Sequence, residues 1–268
     1  MMKMTISRGI FLVVSIFCLS AVSMGDEVMA RLSDKDVVAL TKNLGQQEKK
    51  FDRALDSKFK RSVLRGSGIE IDVQTYLADL AEAIQIHGKR FTGDYAASTE
   101  ATEVLRRADF MNSYIHKNPS MKGANEWDVF GSGLQQLAAA YSTSFPLPED
   151  AVIRRIGDGE LEDAATAINK FSKSMEKSIG KQTKKNKALA EPVNSIKADL
   201  KTIGDTSKTL SSRVRSGKPA SAEARQLLEA VERIDALVVG TEGMPDEVVA
   251  SWEAGASSIQ KVAQAYNF

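Results

Sequence analysis

Cysteine is almost absent from this chain of 268 residues, because Cys18 is the only one and it lies in an apolar stretch near the N-terminus. If that stretch is removed, the remaining protein has no thiol. Disulfides, cysteine-ligated metals and haem attached through Cys-x-x-Cys-His are then excluded. An exported domain without disulfides must be held together by its hydrophobic core.

Aromatic residues and prolines are also scarce. Aromatic side chains make up 6% of the sequence and there are 6 prolines, a composition that favours helices over a β-sandwich. The formal net charge is only +1, so the chain as a whole has no electrostatic attraction for nucleic acid. We therefore expect no nucleic-acid partner.

The N-terminus has the three parts of a secretory signal peptide. Lys3 and Arg8 form a basic head, an uncharged apolar run covers residues 10–22, and small residues follow. We predict a signal peptide over residues 1–25, with cleavage after Ser23, Gly25 or Ala30. The apolar run is shorter than the roughly 20 residues of a membrane span, so we expect an exported protein, periplasmic or extracellular. The alternative is an uncleaved segment that anchors the protein in the inner membrane.

Apolar residues recur at alternating spacings of three and four through the rest of the chain, a pattern that predicts helices. A capping box at residues 33–36 begins the first helix, and its apolar face continues to Phe59 before "GSG" at 66–68 breaks it. Pro119 ends the third helix. The pattern divides the chain into three parts: a four-helix unit over 33–145, a Pro/Gly linker with a short helix over 146–159, and a second four-helix unit over 160–268.

The two units resemble each other in sequence. "WDVFGSGLQQLAAAY" at 127–141 and "WEAGASSIQKVAQAY" at 252–266 share a Trp, two aliphatic residues, two alanines and a Tyr at the same spacing. Residues 101–115 align with 224–238, and Phe51 aligns with Phe171, at nearly the same offset. We therefore predict an all-α fold that is a tandem duplication of an antiparallel four-helix-bundle unit, arranged as two bundles or as one elongated bundle.

The repeated Trp-x6-Leu-x2-Leu-Ala-x-Ala-Tyr helix, together with "EVLRRADFMNSYI" upstream, resembles an uncharacterised group of exported bacterial all-helical proteins. The resemblance covers most of each half and rests on Trp127, Leu134, Leu137, Ala138, Tyr141 and their partners. The second copy lacks the paired arginines of the first. The group has no named activity, so the resemblance implies export and helices and assigns no functional residue.

Residue patterns of known catalytic and cofactor sites are not found. The predicted apolar faces contain no carboxylate and no Glu-x-x-His, which a di-iron bundle needs. His87 and Met111 are the residue types of a b-type haem site, but a single His on an apolar face is more typical of a core histidine. His116 is expected to cap a helix end or lie at the surface. No nucleophile elbow or phosphate-binding glycine loop occurs. We predict no catalytic residue, no metal ligand, no cofactor and no enzymatic activity.

The repeated aromatic residues Trp127, Tyr141, Trp252 and Tyr266 allow two interpretations. In the first they close the ends of each bundle, with the indole N–H and phenol O–H reaching polar partners. In the second they are platforms for sugar rings or for a partner helix. The first is preferred, because large aromatic residues at helical spacing normally lie in the core.

A run of lysines distinguishes the second half. "NKFSKSMEKSIGKQTKKNK" contains seven lysines and a single Glu, and five of them recur at a spacing of three or four: Lys170, Lys173, Lys177, Lys181 and Lys184. Such a run is commonly a solvated helix face beside the apolar seam. It is also the pattern expected of a docking surface for an anionic partner.

These observations favour a protein that works by binding. We expect an exported helical interaction module, an adaptor, scaffold or envelope-stress accessory, whose partner is an envelope protein or an anionic polymer. The alternative is a periplasmic carrier of a small ligand or cofactor, with a pocket inside a bundle. No stable membrane span is expected in the mature chain, and the long seams are compatible with a dimer.

Overall fold

The computed structural model describes residues 31–65, 70–184 and 186–268, and this part of the chain is mainly helical. The prediction of an all-α fold is confirmed. The predicted signal peptide, the "GSG" break and Lys185 lie outside the described residues. The helices are α1 Asp34–Ala54, α2 Ser57–Lys60, α3 Val73–Arg90, α4 Ser98–Lys117, α5 Ala124–Ala140, α6 Asp158–Gln182, α7 Ala190–Arg215, α8 Ser221–Gly240, α9 Asp246–Glu253 and α10 Ala256–Tyr266, with a 3-10 helix at Lys187–Leu189. None of the described helices is long and apolar enough to span a membrane.

Hydrophobic residues form two separate clusters. In the first, α1 packs against α3 and α5, and α4 packs against both α3 and α5, so that four helices surround one core. In the second, α7 packs against α6 and α8, while α9 and α10 close the core between α6 and α8. The first cluster ends at Phe145 and the second begins at Ile156. Each half therefore buries its own apolar seam.

The start of α1 follows the sequence prediction, but its end does not. The Ser33 hydroxyl accepts a hydrogen bond from the Asp36 amide and the Asp36 carboxylate accepts from the Ser33 amide, which confirms the capping box. Helix α1 ends at Ala54 rather than continuing through Phe59, because Leu55 is extended and Asp56 caps the short helix α2 through the Lys58 amide. The chain then forms an unpredicted antiparallel hairpin of β1 Val63–Arg65 and β2 Glu70–Asp72.

The predicted short helix in the linker is wrong. Residues 151–157 have no helical structure and run directly into α6 at Asp158. The non-helical backbone sends neighbouring side chains in different directions. Ile153 packs on the first core, Ile156 joins the second core, and Arg155 is buried between the halves. A helix would place fewer of these side chains in contact with both halves.

The last predicted helix is broken into α9 and α10 at Ala254–Gly255. Glycine is required at this break, because a β-carbon on Gly255 would stand 2.5 Å from Cε1 of Phe171. The ring of Phe171 also packs 5.8 Å from the ring of Trp252. In the first half the position corresponding to Gly255 carries Phe130, which is buried. The second half therefore brings the backbone of its last helical segment against a ring of α6.

Substitution of Gly255 by Ala should destabilise the protein by about 2 kcal/mol, because the new methyl group overlaps the ring of Phe171. Gly240→Ala is the control, since a β-carbon at the last residue of α8 meets no atom within 4 Å. The measurement is urea-induced unfolding of both variants. Equal stabilities for the two variants would contradict the steric explanation.

Candidate functional site

The two repeated tryptophans make the same pair of contacts. Trp127 donates from Nε1 to Oδ1 of Asn112 at 3.1 Å, and Trp252 donates from Nε1 to Oδ1 of Asp235 at 3.1 Å. The Trp127 ring packs 4.9 Å from Phe51, as Trp252 packs on Phe171. Trp127 is 1% exposed and Trp252 is 6% exposed. Neither ring offers a face to a sugar or to a partner helix.

The two tyrosines differ. Tyr141 is fully buried and donates to the Ala96 carbonyl at 2.6 Å. Its hydroxyl also lies 2.8 Å from Nε2 of His87, while Nδ1 of His87 lies 3.0 Å from the Thr41 hydroxyl. Burial lowers the pKa of His87 to about 4, although Glu100 opposes the shift. His87 is thus a core histidine with both ring nitrogens occupied. Tyr266 instead lies half-buried where the two halves meet.

Glu48 is a buried carboxyl group that the sequence analysis missed. It lies on α1 between the core residues Leu44 and Phe51 and is 4% exposed. Burial, with a contribution from Asp52, raises the pKa of Glu48 to about 7. Its spacing of four from Leu44 was a readable signal, because that step continues the apolar face.

The predicted lysines do form one surface. Lys170, Lys173, Lys177 and Lys181 lie on α6 within an arc of about 80°, over about 16 Å of helix, and Lys184 follows in the turn. All five are exposed. The stripe lies on the opposite face of α6 from the core residues, about 180° away, and not beside the seam as expected. We call these five residues the lysine stripe.

The lysine stripe differs from other lysines of the chain in its ion pairing. Among the described residues, no carboxylate forms an ion pair with any of the five. On α2, by contrast, Lys60 lies 3.0 Å from Asp52, and on α10 Lys261 lies 2.9 Å from Glu160. The lysine stripe is therefore a row of positive charge that this part of the chain leaves uncompensated.

Four charged residues lie at the junction between the halves, and each contact that one half makes has a matching contact from the other half. Arg31 donates from Nη1 to Oδ1 of Asp158 at 2.6 Å, and Arg155 donates from Nη2 to Oδ1 of Asp34 at 2.8 Å. The Asp34 amide donates to Oδ2 of Asp158 and the Asp158 amide donates to Oδ2 of Asp34, both at 2.8 Å. Two helix N-termini, those of α1 and α6, thus cap each other. We call these four residues the clasp.

The clasp also bonds to the backbone, again in matching pairs. Arg31 donates to the Ile156 carbonyl at 2.8 Å and Arg155 donates to the Leu32 carbonyl at 2.7 Å. The sequence carries a signal for this arrangement: "RLSD" at 31–34 and "RIGD" at 155–158 are separated by nearly the same offset as the other segment pairs from which a duplication is predicted. Sequence analysis missed it because the first copy adjoins the predicted cleavage points and the second lies in the predicted linker.

Arg155 is the most deeply buried member of the clasp. Its side chain is 2% exposed, and it also donates from Nη1 to the Ala140 carbonyl at 3.1 Å. Burial and the neighbouring Arg31 guanidinium lower the pKa of Arg155, while Asp34 opposes that shift. The Nε–H of Arg155 has no hydrogen-bond partner within the part of the chain that the structure describes.

A groove of about 670 Å³ runs between α4 and α5. It contains Ser113, His116 and Asp128, the residue types of a hydrolase site. Nδ1 of His116, however, lies 2.7 Å from the Asn112 carbonyl rather than from a carboxylate. The described residues also contain no group of three or more His, Cys, Asp or Glu side chains placed to hold a metal ion. The groove therefore has no triad geometry.

Comparison of the chain with protein-family models, with curated proteins and with solved structures gives no match.

Replacing Asp34 by Asn should cost about 3 kcal/mol of unfolding free energy, because the Arg155 guanidinium stays buried without its counter-charge. The double variant Asp34→Asn/Arg155→Met should recover at least half of that loss, since it leaves no unpaired charge. The control is Arg154→Met, whose side chain is 60% exposed and pairs with Glu160 only at 3.9 Å. Chemical unfolding measures all three, and equal losses for Asp34→Asn and Arg154→Met would contradict the role of the clasp.

Glu48 should make the protein less stable as the pH rises. A glutamate in the unfolded chain titrates near 4.5, whereas Glu48 in the folded chain titrates near 7. Between these values the unfolded state has released a proton that the folded state retains, so unfolding becomes more favourable as pH increases.

Glu48→Gln removes this titration. Relative to the wild type, its free energy of unfolding should rise by about 3 kcal/mol between pH 4 and pH 8. Glu82→Gln, an exposed position on α3, is the control and should show no such gain. Parallel stability curves for Glu48→Gln and wild type across this range would show that Glu48 does not keep its proton.

Proposed function

We propose that this protein is an exported helical interaction module that holds an anionic envelope polymer along the lysine stripe. The observation that carries the proposal is the row of five exposed lysines without ion pairs among the described residues. Unpaired lysines repel one another, and a bound polyanion would relieve that repulsion.

The geometry of the lysine stripe favours a partner with repeated charges. Along α6 successive lysines rise by about 4.5 to 6 Å, so a chain with regularly spaced phosphates or carboxylates can meet several of them at once. Lysine acts as a point charge on a flexible stem and needs no fixed ligand geometry. This supports a charged polymer more than a single small anion.

Export and duplication complete the proposal. The N-terminal residues 1–25 support secretion to the envelope, where anionic polymers and acidic proteins are available partners. The matching Trp127–Asn112 and Trp252–Asp235 contacts, with the exchange symmetry of the clasp, support descent from one duplicated helical unit. The first half then acts as the scaffold, and the second half carries the binding surface.

The test is binding of the purified exported protein to linear polyphosphate, measured by isothermal titration calorimetry. The variant with Lys173, Lys177, Lys181 and Lys184 changed to Gln should bind at least about 10-fold more weakly, because four stripe charges are lost. The affinity of the wild type should fall as salt is raised.

A second charge-matched variant controls for the net charge. It changes Lys42, Lys50, Lys89 and Lys117 to Gln, all exposed residues of the first half. Equal weakening in both variants would mean that net charge, and not the lysine stripe, attracts the polymer. Poly-glutamate and vesicles with phosphatidylglycerol are measured in parallel. If poly-glutamate binds the lysine stripe more tightly than polyphosphate does, the partner is an acidic protein face. If the vesicles bind the lysine stripe more tightly, the partner is a membrane.

A further inference from the structure

A second binding surface lies at the junction of the halves, away from the lysine stripe. A pocket of about 230 Å³ is lined by residues from both halves, among them Arg31 and Ala140 on one side and Arg225 and Tyr266 on the other. It lies beside the clasp, where the end of α5 meets the start of α8 and the end of α10.

The charges around this pocket do not balance. Three guanidinium groups line it, those of Arg31, Arg155 and Arg225. The clasp neutralises the first two through Asp158 and Asp34. Arg225 has no carboxylate partner among the described residues, and its guanidinium carbon lies 5.6 Å from the centre of the Phe268 ring. Arg225 is therefore the lining arginine that has no ion pair among the described residues.

Hydrogen-bond donors at this pocket are also unused. Arg155 lines the pocket with a side chain that is 2% exposed, and its buried Nε–H has no partner in the described part of the chain. Ser221, another lining residue, is the first residue of α8, and no side chain caps that helix. The first amides of a helix are free donors at the positive end of its dipole.

The remaining lining includes small apolar residues and two glutamine amides. Ala139, Ala140 and Ala265 leave room for an apolar group, while Gln136 and Gln264 add amides. The guanidinium of Arg225 is exposed, so it is a donor group that a ligand in this pocket can reach. We propose that this pocket binds a small organic monoanion, a carboxylate with a short apolar tail. The carboxylate accepts from Arg225 in the two-pronged geometry that guanidinium favours.

The experiment is a titration of the exported protein with hexanoate, followed by NMR chemical-shift changes, with hexanol as the uncharged control. Hexanoate should shift the resonances of α8 and α10, and hexanol should bind at least about 10-fold more weakly. Arg225→Gln should weaken hexanoate binding at least about 10-fold. The affinity of Arg225→Lys should lie between those of the wild type and Arg225→Gln, because lysine keeps the charge but lacks the two-pronged guanidinium geometry. Arg154→Gln, an exposed arginine that does not line the pocket, should bind as the wild type does.

Three results would overturn the proposal: no saturable hexanoate binding, equal affinity for hexanol, or unchanged affinity in Arg225→Gln. If inorganic phosphate shifts the same resonances and binds more tightly than hexanoate, the ligand of the pocket is a phosphate rather than a carboxylate. Arg225 is exposed and forms no ion pair in the described residues, so its substitution leaves the clasp and the fold intact. The affinity for polyphosphate in Arg225→Gln separates this site from the lysine stripe, because it should not change.

Discussion

The arrangement of the two halves depends on four charged side chains between two separate cores, of which Arg155 is buried and the other three are partly buried. Removal of a charge from water is costly unless a counter-charge and hydrogen-bond partners replace the solvent, and Arg31, Arg155, Asp34 and Asp158 supply these for one another. Each carboxylate also accepts from the first amide of the helix in the other half, so the clasp joins the N-termini of α1 and α6. The junction pocket lies beside it, where α8 and α10 meet α5.

The two halves place polar groups in their cores differently. The first half buries Thr41, His87 and Tyr141 in one hydrogen-bonded row, and its Glu48 keeps a raised pKa. In the second half Tyr266 leaves the core for the junction, and Gly255 lets the backbone approach Phe171. Hydrogen-bonded polar rows specify one packing arrangement, whereas close backbone approach depends on the absence of a side chain.

The two candidate binding surfaces differ in their relation to the hydrophobic cores. The lysine stripe points away from the core of α6, so its charges contribute nothing to packing and are free for a partner. The junction pocket is lined by residues that pack against both clusters, and its alanines leave space that larger residues would fill. The attraction exerted by the lysine stripe acts through solvent and is weakened by salt. The hydrogen-bond donors of the junction pocket act at short range and select a ligand by its shape.

The sequence by itself determined the helices, the two apolar seams, the capping box at Ser33 and the lysine spacing, because each depends on residues that are neighbours within a few turns. It also predicted the tryptophan positions, though not that Asn112 and Asp235 would meet the indoles. Only the tertiary structure decided the close contact at Gly255, the non-helical linker, the hairpin and the clasp. Each of these depends on a side chain from elsewhere in the fold or on a local cap that overrides periodicity, and a periodic pattern contains no information about which distant residue will be in contact.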